Sequence, residues 1–186
     1  NIRKTPFMTI NKTKFDGLLL INLDVFTDER GSFREAWHAK KLAELGLPSF
    51  IPVQHNVAYS KKGVVRGIHA EPWDKFAHPT YGLIFACIVD MRPSSNTFGR
   101  HITFELDEAH ALFVPKGFGN AYQTLSEFAV YSYLVTDHWS ADVTYPSIIY
   151  NDRDLDIKWP ISPAIVSAKD KKNSTFRQAY PSYKSR

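Results

Sequence analysis

The stretch "TYGLIFACIVDMR", residues 80–92, decides the fold class. Its apolar residues alternate in part with a period of two, and turn residues flank it. Similar short runs, rich in Val, Ile, Phe, Tyr and Thr, recur along the chain: "LLLINLDVF" (18–26), "FIPVQHNVAYS" (50–60), "VVRGIHA" (64–70), "RHITFEL" (100–106), "ALFVPKG" (111–117), "NAYQTLS" (120–126) and "AVYSYLVTDHW" (129–139). Because turn residues separate these runs, the pattern predicts an all-β protein, a sandwich or a barrel.

Few helices and one domain are expected. The segment "EAWHAKKLAELG" (35–46) places its apolar residues near one face and ends at Gly46, a typical helix stop. A second helical piece is predicted around "VSAKDKKN" (166–173). The 186 residues suit one domain. Within it, residues 1–14 are interpreted as an N-terminal extension or arm and residues 171–186 as a C-terminal tail.

Composition narrows the function classes. The single cysteine, Cys87, lies in an apolar run and is predicted to be a core residue, so no internal disulfide forms. We find no apolar run of about 20 residues and no signal peptide, and we expect a cytoplasmic protein without membrane contact. The net charge of +4 comes largely from the two ends of the chain, which disfavours nucleic-acid binding and suits an anionic small-molecule substrate.

The densest group of polar residues is "VVRGIHAEPWDK", residues 64–75, where Pro72 ends a predicted strand. His69 and Glu71 are two residues apart and would share a strand face, as two metal ligands would. A metal site needs a third ligand, and "PKGFGN" (115–120) ends in Asn120, a poor one, so a metal-dependent enzyme is disfavoured. General acid–base chemistry remains, with His69 as base and Lys75 as a cation for an oxyanion. Spacing leaves open whether Tyr131 or Tyr133 is the acid.

The chain resembles the dTDP-4-dehydrorhamnose 3,5-epimerase family of the cupin superfamily, from about Phe15 to Asp170. The resemblance rests on motifs in order: "DERGSFREAW" (28–37), "VQHNVAYSKKGVVRGIH" (53–69), "VDMRPSSNTFG" (89–99), "FVPKGFGNAYQTLSE" (113–127), "YSYLVTDHW" (131–139), "NDRDLDIKWP" (151–160) and "SAKD" (167–170). It implies a cupin-type β jelly roll, a homodimer that exchanges N-terminal strands, and no metal or other cofactor. It also implies inversion at C3 and C5 of a 4-keto-6-deoxyhexose linked to a nucleoside diphosphate.

The resemblance assigns a role to each candidate residue. His69 matches the base, Asp170 the carboxylate that orients it, Lys75 the cation near O4, and Tyr133 the acid on the opposite face, which leaves Tyr131 as a packing residue. The remaining matches are substrate contacts: Arg66 for the diphosphate, Trp139 near the sugar, Gln54 and Asn56 along the same groove, and Arg30, Phe33 and Glu35 for the nucleotide across the dimer.

Three departures from the family pattern bear on specificity. Asn120, expected to contact substrate, stands where the family commonly has a histidine, and Ala86 stands where it has the accompanying aspartate. Glu71 belongs to a branch in which "HAEPWDK" replaces the commoner "HxQ…K". His78 matches no family role and is interpreted as a surface or loop histidine. A C3-only or C5-only epimerase, another nucleotide sugar, and a non-catalytic sugar-nucleotide binding module are the alternatives.

Overall fold

The computed structural model describes residues 3–4 and 8–183. Strands account for most of the regular structure in this part of the chain. They are β1 Arg3–Lys4, β2 Thr9–Lys12, β3 Leu19–Asn22, β4 Val25–Asp28, β5 Gly31–Arg34, β6 Gln54–Lys61, β7 Val65–His69, β8 Lys75–Tyr81, β9 Ile84–Asp90, β10 His101–Leu106, β11 His110–Val114, β12 Phe118–Thr124 and β13 Phe128–Val135. The helices are α1 Ala39–Glu44, α2 Phe176–Ala179 and a 3-10 turn, Asp170–Lys172.

Two antiparallel sheets form a sandwich. One sheet has four strands in the order β10-β9-β12-β7, and the other has six in the order β2-β3-β11-β8-β13-β6. A third, small sheet, β1-β4-β5, contains the hairpin that follows β3. The all-β sandwich predicted from the recurring strand-like runs is confirmed, and so is the cupin-type jelly roll that the family resemblance implies. Residues 9–12, assigned to an N-terminal extension, form the edge strand β2 and pair with β3.

Strand β9 explains why the opening stretch is so apolar. Its residues Ile84, Ala86 and Ile88 face the core between the two sheets. Cys87 and Val89 face a second core that the C-terminal segment builds against the back of the four-stranded sheet. A strand covered on both faces needs apolar residues at nearly every position, so its period-two pattern is only partial. Cys87 is fully buried, as predicted.

The helix predicted over 35–46 forms only over Ala39–Glu44. His38 caps it, because its Nδ1 accepts a hydrogen bond from the backbone N–H of Lys41, 3.3 Å away. Leu42 is buried against the outer face of the six-stranded sheet. Gly46, with φ of +94°, ends the segment as expected. Among the residues described, no helix is long and apolar enough to cross a membrane.

The C-terminal segment is more ordered than a solvated tail. The piece predicted over 166–173 forms only the 3-10 turn, and α2 follows it inside the predicted tail. Thr175 and Gln178 form a capping box at the start of α2. Phe176 is fully buried and packs with Phe98 and Tyr183. Packing of this aromatic group holds the segment against the four-stranded sheet, and Asp170 lies within it.

Strand β8 was not predicted, and the interpretation of His78 as a surface or loop histidine was wrong. The chain resumes a strand at Lys75 after Pro72, and His78 lies within that strand with 6% of its surface exposed. Pro79 also lies in the strand. It is tolerated because β11 pairs only with residues 75–77 and the β13 register shifts beside Pro79. Burial, followed by the charge of Arg34, lowers the pKa of His78 to about 4.

We expect His78 to make the stability of the protein depend on pH. Between the folded pKa of about 4 and the unfolded value of 6.5, only the unfolded state binds the proton, so stability rises with pH. The contribution is complete above about pH 6.5 and is lost as the pH falls towards 4, to a limit of about 3 kcal/mol. Urea unfolding of wild type and His78→Gln across this range should give a flatter pH profile for the variant. His138→Gln, at an exposed histidine, should keep the wild-type slope, and parallel profiles for all three proteins would contradict the expectation.

Candidate active site

A cavity of about 360 Å³ lies between the two sheets at one end of the sandwich. Strands β7 and β12 of the four-stranded sheet line one side, and strands β6, β8 and β13 of the six-stranded sheet line the other. Residues 165–167 and Asp170 of the C-terminal segment complete the wall. The predicted residues that the structure brings together here are Arg66, His69, Lys75, Asn120, Tyr133 and Asp170.

A bulge in β7 lets Arg66 and His69 face the same cavity. Residues three apart on a regular strand point to opposite sides. Here Arg66 pairs with Tyr122 and His69 with Asn120, so β7 uses three steps where β12 uses two. Gly67 lies in the bulge with φ of +118°, and a Cβ on it would stand 2.6 Å from the Cβ of Ala121. Only glycine fits this close approach of the two strands.

His69 and Asp170 form a hydrogen-bonded pair. The distance from His69 Nε2 to Asp170 Oδ1 is 2.8 Å. An ionised carboxylate only accepts hydrogen bonds, so Nε2 is the donor of this bond, and in the neutral form of the imidazole Nδ1 is then the nitrogen with the lone pair. Burial alone would raise the pKa of Asp170, but the hydrogen bonds and charge of His69, with Asn173 and Ser167, outweigh it and leave that pKa below its usual value. Asp170 therefore stays charged and supports an imidazole that can take up a proton.

Lys75 and Glu71 form a buried ion pair in the same cavity. Their side chains are only 7% and 9% exposed. Lys75 Nζ also lies 5.5 Å from the centre of the Tyr133 ring. Among the residues described, no three His, Cys, Asp or Glu side chains are grouped as a metal site would require. Glu71 pairs with Lys75, and His69 pairs with Asp170. The ammonium group of Lys75 lies beside the ring of Tyr133.

Tyr133 and Tyr131 differ in burial and in their neighbours, which their spacing in the sequence could not show. Burial, and then the charge of Glu71, raises the pKa of Tyr133 to about 12, which keeps its hydroxyl protonated at neutral pH. Tyr131 is 1% exposed and belongs to the core between the sheets. It also lines the cavity, and its hydroxyl lies close to the Asn120 side chain without the geometry of a normal hydrogen bond. Tyr133 is the more accessible of the two, and only its ring lies against Lys75.

Arg66 lies at the exposed rim of the cavity. Its Nε donates to Ser60 Oγ at 3.0 Å and its Nη2 donates to the carbonyl of Tyr59 at 3.1 Å. Ser60 in turn shares a hydrogen bond of 3.1 Å with the hydroxyl of Tyr122. These contacts hold the guanidinium group at the entrance, where it can pair with an anion.

Gln54, Asn56 and Trp139 form a second polar rim. Gln54 Nε2 donates to Asn56 Oδ1 at 2.7 Å, and Gln54 Oε1 accepts from the backbone N–H of Trp139 at 2.9 Å. Asn56 lies opposite Tyr133 in the β6–β13 register. None of the three lines the cavity itself, and the Trp139 side chain is 51% exposed.

The predicted nucleotide-contacting residues lie away from the cavity of their own chain. Arg30 and Phe33 border a separate groove on the β4–β5 hairpin, where Arg30 Nε donates to Asp28 at 3.1 Å. Phe33 is 67% exposed. Glu35 follows the hairpin and forms an ion pair with Lys41. One chain therefore does not unite these residues with His69.

Asn120 and Ala86 sit on neighbouring strands. Asn120 lies opposite His69 and lines the cavity, and its side chain lies close to the Tyr131 hydroxyl without the geometry of a normal hydrogen bond. Ala86 lies opposite Tyr122 and packs in the sandwich core. Position 86 thus neighbours Tyr122, which lines the cavity, but Ala86 itself is not part of the lining.

Sequence reasoning missed Tyr145. Its ring lies edge-on to those of His69, at 6.1 Å, and Trp73, at 6.3 Å between ring centres. The segment that carries it is tied to the end of β7, because the Ala70 N–H donates to the Pro146 carbonyl at 2.9 Å. No motif or spacing marks this residue, since the segment belongs to no strand or helix.

The fold is a cupin-type jelly-roll sandwich, and its cavity has an Asp-supported imidazole on one sheet and a tyrosine and a lysine on the other, groups that are able to carry out general acid–base chemistry. The sequence model of the dTDP-4-dehydrorhamnose 3,5-epimerase family matches residues 12–178. This chain belongs to that family and is an isomerase of the nucleotide-sugar epimerase class. The resemblance found in the motifs is confirmed.

Individual relatives support the same family assignment. The "Protein RmlC homolog" of Streptococcus pyogenes is 36% identical over 173 residues, covering 89% of this chain and 87% of the relative. The dTDP-4-dehydrorhamnose 3,5-epimerase of Salmonella typhimurium is 35% identical, covering 88% of this chain and 92% of the relative.

Solved structures are also close. RmlC from Streptococcus suis in complex with dTDP-D-xylose matches with a TM-score of 0.90, 34% identity and 95% coverage of both chains. RmlC from Legionella pneumophila in complex with dTDP-4-keto-L-rhamnose matches with a TM-score of 0.86, 33% identity, and coverage of 92% of this chain and 94% of that one.

We expect Gly67→Ala to damage the site through the backbone. A methyl group would clash with Ala121 and the Asn120 carbonyl, so the unfolding free energy should fall by about 3 kcal/mol or more. Gly46→Ala is the matched control, because Gly46 also has a positive φ but no atom lies within 4 Å of its Cβ position. That variant should lose only about 1 kcal/mol. Equal losses in thermal or urea unfolding would show that strand approach at Gly67 is unimportant.

Proposed function

We propose that this protein inverts both C3 and C5 of a dTDP-linked 4-keto-6-deoxyhexose, converting dTDP-4-dehydro-6-deoxyglucose to dTDP-4-dehydro-L-rhamnose; inversion at only one of the two carbons, which would give a different product, is the alternative. The observation that carries the proposal is the placement of acid and base on opposing sheets. His69 comes from the four-stranded sheet, and Tyr133 and Lys75 come from the six-stranded sheet. A sugar ring between the sheets has a base on one face and a proton donor on the other, as inversion requires.

The proposed steps use groups that the cavity holds. A C–H bond beside the C4 ketone is acidic because its loss gives an enolate with the charge on O4. His69 Nδ1 takes the proton and becomes an imidazolium that Asp170 stabilises. The Lys75 ammonium opposes the charge on O4. Tyr133 then protonates the same carbon from the other face, and exchange with solvent restores His69 and Tyr133.

The phosphates and the base of the nucleotide need further groups. Arg66 at the rim suits the diphosphate, and Asn120 in the cavity wall suits the sugar. Gln54, Asn56 and Trp139, which form a polar group outside the cavity, are proposed as further contacts to the nucleotide sugar. The relatives from S. suis and L. pneumophila were solved with dTDP sugars, which supports thymidine as the nucleoside. We place the reaction in the cytoplasm, in one epimerase domain that uses no cofactor.

Exchange of substrate protons with solvent tests the reaction and the separate roles of His69 as base and Tyr133 as acid. With dTDP-4-keto-6-deoxyglucose in D2O, NMR should show deuterium entering C3 or C5 and inversion at that carbon. His69→Asn should slow exchange about 10²–10⁴-fold, because the base is lost. Tyr133→Phe should still exchange but should no longer invert, since the proton returns on the face it left.

Tyr131→Phe is the matched control for Tyr133→Phe, because it removes the hydroxyl of a core tyrosine two residues earlier on β13. It should exchange and invert like wild type. Folded wild-type enzyme that incorporates no deuterium would overturn the proposed reaction, and full exchange by His69→Asn would remove His69 as the base. Tight dTDP binding without exchange would instead indicate a binding module.

We also propose a homodimer in which the β4–β5 hairpin completes the partner's cavity, with exchange of N-terminal strands. Phe33 and Arg30 lie outside their own cavity and are exposed. The edge strand β6 carries Val57 and Tyr59, 62% and 55% exposed, on its outer face. An apolar edge strand of this kind is usually covered, and a second copy of the chain would cover it.

Mixing two inactive variants tests this arrangement. Phe33→Ala should lose substrate binding through the hairpin, and His69→Asn should lose the base. If each site combines one chain's cavity with the other chain's hairpin, mixed dimers contain one intact site. Co-expression should then restore about a quarter of the wild-type rate, since half the dimers are mixed. Light scattering should give twice the chain mass of 21.3 kDa. No recovery in verified mixed dimers, or a monomeric active enzyme, would contradict the arrangement.

A further inference from the structure

Glu71 and Lys75 form a buried ion pair in the cavity. The proposed steps give a role to Lys75 but none to Glu71. Both side chains line the cavity and both are more than nine-tenths buried. Burying two charges costs more than their attraction usually returns, so such a pair is weak as a device for stability alone. Its position in the cavity wall suggests a role in the reaction.

The segment between the two residues is held firmly. The N–H of Asp74 donates to Thr136 Oγ1 at 3.1 Å, and Asp74 Oδ1 accepts from the N–H of Lys116 at 2.8 Å. Trp73 is 4% exposed. At the other end, the N–H of Ala70 donates to the Pro146 carbonyl. The carboxylate of Glu71 thus reaches Lys75 from a backbone that is fixed on both sides.

Lys75 has two neighbours that restrict its ammonium group. One is the Glu71 carboxylate, and the other is the ring of Tyr133, whose centre lies 5.5 Å from Nζ. A lysine side chain has four rotatable bonds, and without Glu71 it would sample several positions in a cavity of about 360 Å³. A cation that must move into place during the reaction stabilises a transition state less than one already in place.

We propose that Glu71 is a positioning residue: it holds the Lys75 ammonium beside Tyr133, at the place where charge develops on O4 of the sugar. The inference rests on the proposed function, because it assumes an enolate. Before deprotonation, Lys75 has one anionic partner, Glu71. When the charge appears on O4, the ammonium gains a second partner without leaving the first. Glu71 itself does not touch the reacting carbons.

The test separates a role through Lys75 from a structural role. Glu71→Gln keeps the shape and removes the charge, and we expect kcat for exchange to fall about 10–100-fold, with KM and the Kd for dTDP within about twofold of wild type. Glu71→Asp keeps the charge and should recover part of that loss. Lys75→Met should slow exchange at least as much as Glu71→Gln.

The double variant Glu71→Gln/Lys75→Met decides the matter. If Glu71 acts through Lys75, the double variant should be no slower than Lys75→Met alone. It also removes both buried charges together, so we expect it to fold even if Glu71→Gln, which leaves the Lys75 charge unpaired, does not fold. Multiplied losses, or a wild-type kcat in Glu71→Gln, would overturn the inference while wild-type exchange stands. Loss of dTDP affinity in step with kcat would show a structural role, and absence of exchange in wild type would remove the proposed function itself.

Discussion

The site depends on the close approach of β7 to β12 at Gly67. The two strands come so near that a Cβ on Gly67 would overlap Ala121 and the Asn120 carbonyl. The bulge there inserts one residue into β7, and His69 thereby turns to the same side as Arg66. Ile68 is left to pack on the opposite face, in the core beneath the C-terminal segment. The bulge therefore determines the orientation of Arg66 at the rim, of His69 in the cavity and of Ile68 in the core.

The second requirement is that two layers face each other. A single strand or loop can present several polar groups, but only to one side of a bound ring. The sandwich places the His69–Asp170 pair on one layer and the Lys75–Tyr133 contact on the other. Asp170 arrives from far along the chain, carried by a 3-10 turn that Phe176 helps to anchor. The tertiary fold, more than any local motif, creates the geometry for inversion.

Sequence reasoning succeeded where local chemistry decides and failed where packing decides. A strand at β9 and the burial of Cys87 could be predicted because this run is almost entirely apolar, whereas its burial on both faces emerged only from the structure. Strand β8 was missed because Pro72, Pro79 and the charged residues between Glu71 and Lys75 indicate a loop. Only the structure shows that Lys75 and His78 are buried, because their neighbours come from β11 and β13. Tyr145 had no pattern to reveal it, and the Asp170 contact spans about a hundred residues, which only the resemblance bridged.

The departures from the family pattern become consistent once Glu71 is included. The common pattern has an aspartate at position 86, a histidine at 120 and a glutamine at 71. This chain has Ala86, Asn120 and Glu71. In this chain the carboxylate that contacts the buried lysine comes from Glu71, in the loop after β7. A buried ammonium without any anionic partner is strongly disfavoured. Glu71, in contact with Lys75, supplies that anionic partner.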